Sequence, residues 1–234
     1  MLNRFWILVL LVMAMALTGC CGIGCGPLSR WTFPSIRTRT LRGSGDLVTQ
    51  EMDLLGFDKL EVSHTFQVTL QQSSSYRVVV TVDDNMVDEI EVRRVGSTLQ
   101  IGLQEGSWSL NNITLRAEVS MPRLTGIELS GASSLKGAMD TVDVRFTLSG
   151  ASRLTLEGTG SDMDLRASGA SDVSLADFEV KDASVELSGA SQAAVNVTGK
   201  LDVEASGASQ LRYLGNPQLG RIDTSGASSV SPAR

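Results

Sequence analysis

The chain has 234 residues, with glycine 23 times, serine 29 times, a single histidine and a formal net charge of -6. That charge has the wrong sign for a nucleic-acid-binding domain, and a Ser-His-Asp triad would have to use His64, the lone imidazole. A disulfide-stapled scaffold is excluded as well, because Cys20, Cys21 and Cys25 all precede residue 26.

The chain opens on one positive charge, Arg4, followed by an apolar run over residues 5–17. A membrane-spanning helix needs about 20 apolar residues, so this run reads as the h-region of a signal peptide covering residues 1–19. It ends in Leu17-Thr18-Gly19-Cys20, which resembles the bacterial lipobox. That resemblance implies cleavage before Cys20 and acylation of its thiol and new amino group. It also places the protein at the outer membrane, since Cys21 is not the aspartate that favours inner-membrane retention. Each buried CH₂ of the acyl chains contributes about 0.8 kcal/mol to anchoring. Residues 20–45 read as a flexible basic linker carrying Arg30, Arg37, Arg39 and Arg42 and no acid before Asp46. Beside an anionic headgroup each arginine is worth about 1 kcal/mol. Cys21 and Cys25 stand at a spacing too poor in further ligands to indicate a metal.

Residues 46–129 alternate with period two. Leu60, Val62, His64, Phe66, Val68 and Leu70 form one such series, and Leu115, Ala117, Val119 and Met121 another. This is the pattern of half-buried strands, and the expected arrangement is either irregular early coils or a β subdomain capping the rest of the chain. His64 reads as a hydrogen-bonded residue within a strand.

Ser-Gly-Ala-Ser then occurs six times, starting at Ser130, Ser149, Ser168, Ser188, Ser206 and Ser225, at intervals of 19, 19, 20, 18 and 19. Apolar residues recur three before the motif (Ile127, Phe146, Leu165, Val185, Val203, Ile222) and five after its first serine (Leu135, Leu154, Val173, Ala193, Leu211, Val230). Each unit is therefore strand, small-residue corner, strand and variable loop. Such short strands bury a face only when stacked, about 4.8 Å apart, in a solenoid. The predicted fold is all-β: a right-handed β-helix of about 19-residue coils over residues 130–231, behind the irregular β part. In this reading the motif's alanine points inward, its glycine supplies a special backbone angle, and its serines bond to neighbouring rungs. Pro232 blunts the last rung, whose open edge otherwise suits a second copy.

Particular residues resemble a known family. Gly43-Ser44-Gly45-Asp46, Phe57-Asp58-Lys59-Leu60-Glu61-Val62, residues 66–72, Tyr76-Arg77-Val78, Leu99-Gln100-Ile101, Pro122 and the Ser-Gly-Ala-Ser rungs are similar to the head GIN domain family of bacterial envelope proteins, named after auto-transporter adhesin heads. The resemblance spans about residues 43–231. It implies a right-handed β-helix-like fold, an extracytoplasmic location and no catalytic residues.

The surface candidates lie between the apolar columns. Glu186, Glu204 and Asp223 stand two before their motifs, with Arg166 one rung earlier. Stacked carboxylates repel unless a cation relieves them, so this stripe is a candidate for Ca²⁺ or a cationic partner. The alternative is a solvated face with Arg166 paired to Glu186. A second column, Asp143, Asp162 and Asp182, with Arg145 and Arg166 nearby, raises a carbohydrate-active enzyme as an alternative, for which Trp108 and Tyr213 are the candidate stacking rings. Six identical corners argue against one active site, and coils of this length leave little loop for a cleft. The expected function is thus non-catalytic: binding or scaffolding of an envelope protein or glycan, with no cofactor, no metal and no nucleic acid. Self-assembly through the last rung is a further alternative.

Overall fold

The computed structural model describes residues 38–104 and 106–233. The signal peptide, Cys20, Cys21, Cys25 and most of the expected linker lie outside them. The first part contains β1 (Thr38–Arg42), β2 (Leu47–Met52), β3 (Lys59–Val62), β4 (Gln67–Gln72), β5 (Arg77–Asp83), β6 (Ile90–Val95), β7 (Thr98–Leu103), β8 (Ser107–Asn111) and β9 (Leu115–Met121). The second contains β10 (Gly126–Leu129), β11 (Ser134–Ala138), β12 (Asp143–Leu148), β13 (Arg153–Ala167), β14 (Asp172–Leu187), β15 (Gln192–Val197), β16 (Lys200–Ala205), β17 (Gln210–Leu214), β18 (Gln218–Thr224) and β19 (Ser229–Pro232). The end of the expected linker is already structured: β1 pairs in parallel with β8.

The architecture is a β-solenoid of about six regular turns. Strands preceding each Ser-Gly-Ala-Ser corner stack in parallel as a front sheet, and strands following it as a back sheet. Register is residue for residue: Ile127 lies on Phe146, Phe146 on Leu165, and Leu165 on Val185. These inward columns are buried, and Phe146 meets Phe178 edge-on at 6.0 Å between ring centroids. Burying each such side chain stabilises by about 1.5–3 kcal/mol. The loop expected after the second strand is a bend inside a continuous strand in two coils, β13 and β14. The changes in repeat length are taken up as register shifts, between Thr155 and Gly158, between Leu175 and Glu179, and in the front strands between Leu201 and Val203.

The N-terminal part is both coil and cap. β3 and β4 form a complete rung, with β3 against β10 and β4 against β11. On the opposite side of that rung lie β7 and β9, again parallel. The rung made first in sequence is therefore enclosed between two made later. Antiparallel strands then end the ladder, β6 on β7, and β5 on β9 with β2 outside it. Asp83 fastens this cap. Its carboxylate is 1% exposed and accepts the Gly45 N–H at 2.8 Å and the Thr114 N–H at 2.6 Å.

The corners correct two expectations. The alanines, such as Ala170, are exposed, while the second serines, Ser133, Ser152, Ser171, Ser191 and Ser209, are at most 1% exposed. Each of these hydroxyls donates to the carbonyl of the first serine of its own corner, at 2.8–2.9 Å. The second serine thus closes its own turn. First serines reach the rung above as expected, Ser168 Oγ to Leu148 O at 3.3 Å and Ser206 Oγ to Leu187 O at 3.5 Å, beside backbone bonds such as Ala170 N–H to Gly150 O at 2.7 Å. The glycines have φ from 72° to 77°, as expected. His64 is not within a strand: β3 ends at Val62, β4 begins at Gln67, and Ser63-His64-Thr65-Phe66 forms the corner between them. The absence of glycine there hid the corner.

Candidate binding face

Outward positions of the front sheet form columns in the same register. Two before the motif, Glu61 lies on Glu128, Glu128 on Thr147 and Thr147 on Arg166. The column continues from Arg166 to Glu186, Glu204 and Asp223. The stripe singled out from the sequence is thus physically contiguous. Arg166 Nη2 meets Glu186 Oε1 at 3.3 Å and Arg166 Nε meets Asp164 Oδ1 at 3.5 Å. At the other end the Arg221 Nε bonds the Asp223 carboxylate, which pushes the Arg221 pKa up. The Lys200 ammonium donates to Asp202 at 2.6 Å and the Arg221 N–H donates to it at 2.7 Å, and these hold its carboxyl below the usual range. Glu204 lies between the two ends, within the field of Arg221. Basic groups therefore relieve the stacked charge at both ends. The Arg166 and Glu186 side chains are about half exposed, so their pair contributes roughly 0–1 kcal/mol. Among the described residues, no three His, Cys, Asp or Glu side chains converge so as to hold a metal ion.

The acidic column also stacks, Asp143 on Asp162 and Asp162 on Asp182. Beside it runs a column that the sequence reading missed: Lys59, Gly126, Arg145 and Asp164. At Gly126 the Lys59 side chain leans across the place of the missing Cβ, with its Cγ 3.7 Å from where that atom would lie. A groove of about 710 Å³ opens there, lined by Lys59, Arg123 and Arg145 and by six carboxylates, those of Asp58, Glu61, Glu128, Asp143, Asp162 and Asp164. Arg145 Nε is fixed to Asp164 Oδ2 at 2.9 Å. Asp58 Oδ1 is enclosed with no hydrogen-bond partner among the described residues. The signal in the sequence was a glycine in a column that carries charge at Lys59, Arg145 and Asp164.

The remaining candidates lie elsewhere. Trp108 and Tyr213 are half-buried against the core, and Trp108 Nε1 donates to Gln104 O at 3.0 Å. His64 Nδ1 lies 2.8 Å from Ser63 Oγ and accepts the Leu103 N–H at 3.3 Å, and burial lowers its pKa. Cys20 is outside the described residues. No helix of the described residues is long and apolar enough to cross a membrane.

Together these residues build a capped β-solenoid with one registered, charged face. Residues 56–217 match the family described as "Putative auto-transporter adhesin, head GIN domain", and the chain belongs to that family. Solved structures share the fold. A "putative adhesin" from Bacteroides fragilis superposes with a TM-score of 0.66 at 17% identity, covering 82% of this chain and 100% of its own. A "putative lipid binding protein" from Parabacteroides distasonis gives 0.51 at 16% identity, covering 84% and 100%. A "putative adhesin" from the same species gives 0.50 at 15% identity, covering 83% and 100%. None of the three is described as an enzyme. Among curated proteins, none matches the chain.

Proposed function

We propose that the chain is a non-catalytic, adhesin-like module of the cell envelope, lipid-anchored through Cys20 at the outer membrane, which holds an envelope protein or glycan on its front sheet. The observation that carries this reading is the groove at Gly126, continuous in register with the stripe ending at Glu186, Glu204 and Asp223. Backbone ladders fix the spacing of these charges before any partner arrives, which reduces the ordering cost of binding. Six carboxylates favour a partner rich in hydrogen-bond donors, such as sugar hydroxyls or basic side chains. The tether would keep the module near the membrane, and its Arg30 would add a headgroup contact.

A photo-crosslinker at Thr147, in cells, tests the reading. Capture of one envelope component is expected, lost when Gly126→Trp fills the groove and absent from a crosslinker at Ser174 on the back sheet. Equal capture from both sheets overturns it. Cys20→Ala is expected to move the protein from the membrane to the soluble fraction. New reducing ends released from polysaccharide, and abolished by Asp162→Asn or Asp182→Asn, would replace the non-catalytic reading.

A further inference from the structure

The last rung, β18 with β19, is hydrogen-bonded on one side only among the described residues. The core columns open there. Leu219 is 48% exposed, whereas Leu201 directly above it is 0% exposed, and Ile222 and Val230 are half-buried below the buried Val203 and Leu211. The two strands differ in what their open edges offer. Ser229 N–H and Ala233 N–H point back to the rung above. By alternation Pro232 faces the open side, and it has no N–H to offer. That edge is blunted. In β18, Gln218 N–H and Ser225 N–H point to the rung above, and Arg221 N–H reaches Asp202. Ile222 and Thr224 therefore direct both N–H and C=O outward, forming a live edge.

We infer that this edge pairs with the same edge of a second copy, β18 antiparallel to β18, about a two-fold axis through Ile222. The charges select this partner and this register. With Ile222 opposite Ile222, Arg221 stands across from Asp223 of the other copy, and the exchange is repeated by symmetry. Ile222 and its mate exchange both outward hydrogen bonds, and the Arg221 and Asp223 positions form the closer, non-hydrogen-bonded pairs. Leu219, Ile222 and Val230 of the two copies then close each other's open core. A parallel head-to-tail stack lacks this matching of charge. With the axis normal to the front sheet, the two front faces become one surface of twice the length, whatever that face binds.

Sedimentation of the full chain in density-matched detergent tests this, with thermal melting to report folding. The native chain is expected as a dimer at micromolar concentrations. Arg221→Asp and Asp223→Arg should each raise the dissociation constant by at least about tenfold, and the double exchange R221D/D223R should restore it. Thr224→Pro removes only an outward N–H and should give a monomer with the native melting temperature. A native chain that is monomeric at every concentration overturns the proposal. So does a folded double exchange that stays monomeric, or a folded Thr224→Pro variant that stays dimeric. If Thr224→Pro fails to fold, the double exchange alone decides.

Discussion

His64 stands directly over Gly131 in the corner stack, and both take left-handed backbone, with φ of 65° and 73°. The two are joined by Ala132 N–H to His64 O at 2.6 Å. Histidine is among the side chains that tolerate this region. Here the ring is also held, by Ser63 and by the Leu103 N–H. At Gly131 no side chain is tolerated, because a Cβ would meet His64 O at 2.6 Å. The top corner of the stack can carry a side chain because no further glycine corner lies above it.

His64 makes stability depend on pH. Its Nδ1 is committed as an acceptor, and burial lowers its pKa below the usual 6.5. As pH falls, the unfolded chain takes up the proton first. The contribution is whole above about pH 6.5 and is lost as pH falls through the lower folded value. Urea midpoints at about pH 7.5 and about pH 5.5 should fall further for the native chain than for His64→Asn. Equal falls would refute the assignment.

Gly189→Ala should cost roughly 2–4 kcal/mol, combining left-handed strain with a collision against the rung above. Its φ is +73°, and the added Cβ would lie 2.6 Å from Gly169 O. Gly45→Ala carries the strain alone, since nothing lies within 4 Å of its Cβ. It should cost about 1–2 kcal/mol. Denaturation midpoints of the two variants separate packing from backbone strain.

The exchange of roles between alanine and serine is also measurable. Ser171→Ala removes a buried bond of 2.8 Å to Ser168 O and should cost about 1 kcal/mol. Ala170→Ser, on the exposed position beside it, should stay within about 0.5 kcal/mol of the native chain. The reverse order would mean that the alanine faces the core.

Asp83→Ala should be the most damaging single change in the cap, at roughly 3–5 kcal/mol, because it strands two amides that a carboxylate now satisfies. Hydrogen exchange at the Gly45 and Thr114 amides should accelerate together, while amides of the lower rungs keep their protection.

The repeat made most of the solenoid legible. Identical spacing in sequence became identical register in space, so the alignment of Glu186, Glu204 and Asp223 followed from counting alone. Counting by twos from Leu129 also passes through Gly131 and Ser133 to Leu135, which places the second serine inward. The polarity of serine argued the other way, and a hydroxyl that satisfies itself within its own turn has no mark in the sequence. The His64 corner was illegible because the alternation from Leu60 to Leu70 runs through it without a break. The groove was illegible because it arises from Lys59, Gly126 and Arg145, and the first two of these are brought together by a pairing across 67 residues.

The enclosed rung governs the order in which the molecule can be built. β3 and β4 leave the ribosome early, yet neither of their parallel neighbours exists until residues 98–121 and 126–138 have followed. A chain emerging from its N-terminus must hold that rung open and unpaired until these later strands have followed. Its closing contacts are distant in sequence, which slows folding. The regular coils below can each settle on the one before, so the top of the solenoid, and not its repeats, sets the pace of assembly.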